Sequence, residues 1–347
     1  MKALVAGGLG VTGRTLVNHL DTLPEWETVA ISRRTPEFET SARYISLDLT
    51  NLGDCQQVLS DVKDVTHLFF AAYQQQPTLL QESAVNLAML KNLVEAVETM
   101  STSLQRVVLV QGGKVYGVHL GPYKTPAKET DARHMPPNFY YDQEDYLRSR
   151  SQQASWTWTA LRPSAVCGFA VGNPMNLLTA IAVFAVMSRE LGLPLRFPGK
   201  KTAYSTLFEV TDATLLAKAM VWAATASRCA DEAFNITNGD FFRWEDMWSK
   251  IATYFGMAVG YPQPLRLLDY MADKAPLWDF LVQRDGLQPH KFDEIASWAY
   301  ADGCFALDYD IVSDTLKARQ YGFPDYLNSE QMFLNAFKEL QVNCIIP

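Results

Sequence analysis

Ala3-Leu4-Val5-Ala6-Gly7-Gly8-Leu9-Gly10-Val11-Thr12-Gly13 is the stretch that decides the fold. Its first four residues are a short apolar run that reads as a buried strand. Glycines at 7, 10 and 13 follow in a Gly-x-x-Gly-x-x-Gly pattern, and Val11 to Leu20 then has helical spacing. Strand, glycine turn and helix in that order make the phosphate-binding unit of a dinucleotide fold. The glycines allow a tight turn, close approach of backbone to the pyrophosphate, and close packing of helix on strand. The helix N-terminus offers free N–H groups to the phosphates. Gly7, Leu9, Gly10, Val11, Thr12 and Gly13 are therefore expected to hold a dinucleotide; the alternative is a glycine-rich turn with no ligand.

The rhythm continues outward from this loop. Thr28 to Ile31, Tyr44 to Leu47, Thr66 to Phe70 and Arg106 to Val110 read as strands, and Ala84 to Met100 as a long helix. Alternation of this kind predicts an α/β protein with a Rossmann-type doubly wound parallel sheet. After Gly168 the pattern loosens. Leu177 to Met187 and Leu215 to Ala226 read as helices, and Phe234 to Thr237 as a strand. Trp244, Trp248, Trp278 and Trp298 mark an aromatic-rich C-terminal stretch. The expected division is an NADP(H)-binding Rossmann domain, 1–168 with about 203–238, and a smaller, mostly helical substrate-binding or lid region, about 169–202 with 239–347.

The end of the second strand sets cofactor choice. An NAD site places an acid there for the ribose 2′-hydroxyl. This chain has Ser32-Arg33-Arg34, two guanidinium forks suited to a 2′-phosphate, so NADPH/NADP+ is expected. Asp48 and Leu49, after the third strand, are placed to meet the adenine; a turn-forming Asp is the competing reading.

Bulk properties narrow the class. The 347 residues carry a formal net charge of −8, which argues against nucleic-acid or anionic-membrane partners. The longest apolar stretch, Leu177 to Met187, is too short to span a bilayer. Five scattered cysteines with no Cys-x-x-Cys fit reduced thiols and a cytoplasmic setting. The five histidines show no metal spacing and there is no Gly-x-Ser-x-Gly elbow, so neither a metal nor a serine nucleophile is expected.

A second motif lies around residue 140. Asn138-Phe139-Tyr140-Tyr141-Asp142-Gln143-Glu144-Asp145 stands where a short-chain dehydrogenase carries Tyr-x-x-x-Lys, yet four residues after Tyr140 comes Glu144 and four after Tyr141 comes Asp145. A lysine is found instead in Gln111-Gly112-Gly113-Lys114-Val115-Tyr116-Gly117, where relatives with a working serine carry Ser-x-x-x-Val-Tyr-Gly. The glycine loop, Ser32-Arg33-Arg34, Phe69-Phe70-Ala71-Ala72-Tyr73, Lys114, the Asn138 run and Arg162-Pro163-Ser164-Ala165-Val166-Cys167-Gly168 follow in the order of an extended short-chain dehydrogenase. With Lys114 and Asn-Phe-Tyr-Tyr together, the chain resembles the progesterone 5β-reductase/iridoid synthase-like (PRISE) family over most of its length. Members reduce the carbon–carbon double bond of activated enones and enals with NADPH.

The resemblance implies an NADPH-dependent ene-reductase acting on a small apolar enone or enal by 1,4-hydride addition. Tyr140 would donate to the carbonyl oxygen, and Lys114 would tune the phenol and help hold the enolate; a preorganised donor of this kind is often the largest catalytic contribution. Ala71, Ala72, Gln111 and the backbone of Ser164, Ala165 and Val166 would face the cofactor. Tyr73, Tyr123 and Met175 would line the substrate pocket. The loop between Lys114 and Tyr140, with Gly121-Pro122-Tyr123 and Pro136-Pro137, departs from the plant members, so their substrates do not transfer. Carbonyl reduction or another extended short-chain dehydrogenase reaction is the first alternative, a non-catalytic NADP(H) sensor the second. A homodimer stays open.

Overall fold

Seven parallel strands form the central sheet among the residues described by the computed structural model, which are 1–36, 38–170 and 175–347. They are β1 (Lys2–Ala6), β2 (Glu27–Ser32), β3 (Arg43–Ser46), β4 (His67–Phe70), β5 (Arg106–Val110), β6 (Thr157–Pro163) and a last strand from the second half of the chain. Before that strand come β7 (Ala165–Cys167), β8 (Leu195–Arg196), β9 (Leu207–Phe208) and β10 (Val210–Asp212); the strand itself is β11 (Glu232–Ile236). The order is β11-β6-β5-β4-β1-β2-β3. The order in which strands are added reverses between β1 and β4, which opens a crevice at the carboxyl ends of the strands. The Rossmann-type sheet is as expected, but β6 was not among the strands read from the sequence. Its run Thr157-Trp158-Thr159-Ala160-Leu161 has the β-branched and aromatic content of a buried strand.

The helices lie on both faces of this sheet. Helix α1 (Val11–Asp21) follows β1, and α2 (Leu52–Val58) follows β3. Helix α3 (Leu79–Met100) begins five residues before the expected start at Ala84. The Thr78 hydroxyl caps it by accepting from the Gln81 N–H at 3.3 Å, although Leu79 and Leu80 are exposed and break the apolar stripe. That extra turn carries Glu82. Helix α4 (Phe139–Ser151) is capped by Asn138, whose Oδ1 accepts from the Tyr140 N–H at 3.1 Å.

The second half builds its own core. Helix α5 (Leu177–Glu190) is buried from Leu177 through Ser188. A short α6 (Lys201–Ser205) leads back to the strands, and α7 (Ala213–Thr225) packs on α1, its first turn capped by Asp212. In α8 (Trp244–Tyr254), Trp244, Met247, Trp248 and Ile251 are buried together with Phe197, Phe305 and Phe333. Strand β7 pairs with β10, and Asp310 Oδ1 accepts from the Leu207 N–H at 2.9 Å, so the C-terminal segment is tied to the rim of the crevice. No helix among the described residues is long and apolar enough to cross a membrane.

Candidate active site

The glycine loop sits at the switch point. Gly7 has φ +82°, and a Cβ there would lie 2.7 Å from the Ala71 carbonyl oxygen at the end of β4. A Cβ on Gly13 would lie 2.2 Å from the Gly7 oxygen. Both positions therefore require glycine, the first for its conformation and the second for close packing of helix on turn. Gly7 and Gly8 N–H groups both donate to the Ile31 oxygen, at 3.0 and 2.9 Å, which fixes the loop on β2. Leu9, Gly10, Val11 and Thr12 then form the turn and the first residues of α1. This cradle is open to backbone approach and fits the diphosphate of a dinucleotide.

The other expected cofactor residues gather at the same edge of the sheet. Ser32, Arg33 and Arg34 lie at the end of β2, and both arginines are exposed. Asp48 is exposed, but its Oδ1 accepts from both the N–H and the hydroxyl of Thr50, at 2.9 and 2.8 Å, so it also serves as a turn former. Those two bonds hold its carboxyl below the ordinary value. Leu49 puts its side chain into the core, which leaves only its backbone for an adenine. Ala71 and Ala72 follow β4 against Gly7. Ser164 directly precedes β7, which carries Ala165 and Val166; the Ser164 N–H donates to Thr211 Oγ1 at 3.0 Å and its hydroxyl to the Glu209 carbonyl at 3.1 Å. Gln111 differs from expectation. Its side chain is buried, giving its N–H to the Tyr140 carbonyl and to Glu144 Oε2, each at 3.1 Å, and accepting from Arg162 at 2.9 Å. It supports α4 from below and has only backbone to offer a cofactor.

Tyr140 stands on the first turn of α4. Its hydroxyl lies 3.2 Å from where a Cβ on Gly112 would be, so that glycine leaves room for the phenol just past the end of β5. Phe139 packs on its ring at 4.0 Å between centroids, and Tyr73 on Phe139 at 5.4 Å. Burial, with the Glu82 carboxylate adding to it, holds the Tyr140 hydroxyl well above the usual phenol range. The shift is upward; burial is its main cause, and the second is a residue that sequence reasoning missed. Glu82, buried on the first turn of α3, accepts from Lys114 Nζ at 2.8 Å and from the Tyr73 hydroxyl at 2.9 Å. It balances the ammonium charge locally. Lys114 lies on a single turn, Gly113–Tyr116, and its Nζ is 5.5 Å from the ring centres of both Tyr73 and Phe139.

Each residue of Asn-Phe-Tyr-Tyr has a distinct task. Asn138 caps α4 with its oxygen and donates from Nδ2 to the Lys114 carbonyl at 2.8 Å, joining the two motifs. Tyr141 donates to the Val115 carbonyl at 2.7 Å. Glu144, in the place of the usual lysine, is buried against Arg162 Nη2 at 3.0 Å and Arg148 Nη2 at 3.0 Å. Burial alone would raise its carboxyl, but the two arginines outweigh it and hold it below the ordinary range. Arg162 also donates to the Tyr116 hydroxyl at 3.1 Å, and burial pushes that phenol up to about 12. Glu144 therefore belongs to the frame under α4, away from the phenol of Tyr140.

Among the pocket residues, Tyr73 joins the Glu82 cluster. Tyr123 packs against the cluster of Val115, Tyr116, Ala127 and Tyr141, as Tyr140 does, and meets Tyr309 edge-on at 6.4 Å. Met175 is exposed just before α5. Tyr300, from the helix Trp298–Phe305, was also missed. Burial and then the neighbouring Cys304, Cys167 and Tyr140 keep its hydroxyl protonated, so a further phenol borders the site. Nothing local in the sequence could have brought residue 300 to residue 140.

Residues 49–347 match the family described as PRISE-like Rossmann-fold domain. The chain belongs to the PRISE family. An (S)-8-oxocitronellyl enol synthase of Nepeta racemosa is 32% identical, over 99% of this chain and 91% of that protein. A short chain dehydrogenase of Penicillium aethiopicum is 30% identical, over 99% of each chain. Among solved structures, the UDP-glucose 4-epimerase of Thermotoga maritima with UDP-glucose shares the fold at a TM-score of 0.72 and 15% identity, covering 99% of each chain. The UDP-glucose 4-epimerase of Thermus thermophilus in complex with NAD gives a TM-score of 0.68 at 17% identity, covering 98% of this chain and 99% of that one.

Proposed function

We propose that this protein is an NADPH-dependent ene-reductase that reduces the C=C bond of an α,β-unsaturated carbonyl substrate by 1,4-hydride addition. The observation that carries this reading is the phenol of Tyr140, kept protonated beside Gly112, while the lysine of the usual relay is replaced by a buried Glu144. A protonated phenol donates a hydrogen bond; it does not abstract a proton from an alcohol. Conjugate addition needs that donor, because negative charge develops on the carbonyl oxygen as hydride reaches the β-carbon. The enol synthase relative in Nepeta supports the same direction of chemistry.

NADPH, when bound, supplies the hydride. Gly7, Gly10 and Gly13 with the start of α1 would hold its diphosphate, and Arg33 and Arg34 would favour a 2′-phosphate. Tyr140 would then donate to the enolate oxygen. Lys114, fixed on Glu82, would keep a positive charge near that oxygen without lowering the phenol toward ionisation. Tyr73, Tyr123, Tyr300 and Met175 would bound a small apolar substrate.

The test follows NADPH consumption with a panel of enones and enals and identifies the products. Saturated carbonyl products are expected; an allylic alcohol would show carbonyl reduction instead. Tyr140→Phe should lower turnover about 100- to 1,000-fold, the usual loss for one oxyanion donor. Its affinity for NADPH should stay that of the wild type. Retention of full turnover by both Tyr140→Phe and Lys114→Ala would overturn the assignment.

A further inference from the structure

Arg14 follows Gly13 on the first turn of α1. Its guanidinium carbon lies 3.9 Å above the centre of the Phe38 ring and 5.4 Å from that of Phe169. Phe38 comes from the connection that begins with Arg33 and Arg34. It packs edge-on against Tyr44 at 6.3 Å, and the Tyr44 hydroxyl donates to the Gly8 carbonyl at 3.0 Å. Phe169 follows β7 directly after Gly168, where a Cβ would lie 3.1 Å from Val11 Cγ2. The cation thus spans two loops that flank the glycine cradle, both at carboxyl ends of strands.

Its surroundings do not satisfy it. Arg14 Nε is buried and has no hydrogen-bond partner. Tyr44 and Glu339 are the groups that act on its charge, and among the described residues no carboxylate is within ion-pair distance. A guanidinium that loses water beside the positive end of a helix is unfavourable unless an anion arrives. The aromatic faces hold the plane of the group while leaving its N–H edge available, an arrangement suited to the paired oxygens of a phosphate.

We propose that Arg14 is a cofactor-binding residue whose guanidinium, held between Phe38 and Phe169, hydrogen-bonds a phosphate of the bound dinucleotide. The proposal rests on the dinucleotide-binding part of the reading above and not on the reaction.

Binding decides it without turnover. Dissociation constants for NADP+ and NAD+ would be measured by calorimetry with the wild type, Arg14→Gln and Arg14→Lys, with circular dichroism to verify folding. Arg14→Gln should weaken NADP+ about 10- to 100-fold, the usual worth of a hydrogen bond to a charged group. Arg14→Lys should recover part of that loss, because charge returns without the fork. An equal loss for NAD+ and NADP+ upholds the proposal and assigns the diphosphate. A loss confined to NADP+ upholds it and assigns the 2′-phosphate. Unchanged affinity for both dinucleotides in folded Arg14→Gln overturns it. A wild type that binds neither dinucleotide would instead bring down the cofactor reading itself.

Discussion

The cofactor cradle and the Tyr140 cluster occupy the same crevice but are built by opposite means. The cradle is backbone: two glycines whose missing Cβ atoms let β1, β4 and α1 close on one another, with the first N–H groups of α1 left without a side-chain cap. The cluster is side chain: Glu82 from α3, Lys114 from the turn after β5, Tyr140 from α4 and Tyr73 from the end of β4. The first keeps its donors for a ligand. The second satisfies its own charges before any ligand comes, since Glu82 takes a bond from both Lys114 and Tyr73. A phosphate site can wait for its anion because its backbone dipoles are solvated meanwhile. A reaction site that excludes water must carry its counterions within the fold.

The strongest way to break this contrast is to leave a charge uncompensated under α4. Glu144→Ala would strand the buried Arg162 and should cost about 3–5 kcal/mol in stability by denaturant titration. A loss under 1 kcal/mol would mean that Arg162 finds water or another acceptor, and that the frame under Tyr140 is not closed. At the cradle the damage should be steric and smaller. Gly13→Ala places a methyl against the Gly7 carbonyl, so the loop must move. Overpacking of this kind costs about 1–3 kcal/mol. NADP+ affinity should fall with it while the Tyr140 cluster keeps its geometry.

How legible each region was follows from how it is made. The glycine spacing, Ser32-Arg33-Arg34 and the strand rhythm are contiguous in sequence, so the sheet and cradle could be read directly. Lys114 and Tyr140 could be named only through a family resemblance. Glu82 was hidden because the exposed Leu79 and Leu80 masked the first turn of α3; Thr78 followed three residues later by Gln81 was the capping signal that could have revealed it. Gln111 was placed at the cofactor, but its partners Arg162 and Glu144 are 51 and 33 residues away, and no local pattern records them. The unread β6 is what brings Arg162 there.

A pH series sharpens the same contrast at the strand β7 rim. Glu209 is buried under Ser164, accepts from the N–H and hydroxyl of Ser313 at 2.9 and 2.7 Å, and burial raises its carboxyl to about 7 from 4.5. Between those values the folded chain holds a proton that the unfolded chain has lost. The stabilising contribution is therefore complete below pH 4.5 and disappears as pH rises through about 7. Stability should fall by roughly 1–2 kcal/mol from pH 5 to pH 7 on this account, and Glu209→Gln should flatten that part of the curve. An unaltered slope in the variant would place the titration elsewhere.

The smallest expected effect bears on the hinge between motifs. Asn138 is one side chain with two bonds: its oxygen caps α4 at the Tyr140 N–H, and its amide holds the Lys114 carbonyl. Asn138→Ala removes both and should cost about 1 kcal/mol, the usual worth of a cap. Asn138→Asp separates them. Aspartate caps a helix as well as asparagine does, but it cannot donate to the Lys114 carbonyl. If the cap alone matters, Asn138→Asp should match the wild type in both melting temperature and turnover. If the grip on Lys114 sets the reaction geometry, turnover should fall in Asn138→Asp as far as in Asn138→Ala, with the substrate KM changing less than kcat. The second result is expected, because the Asn138 amide bonds the carbonyl of Lys114 itself, whereas the Tyr141 hydroxyl reaches the same turn at Val115.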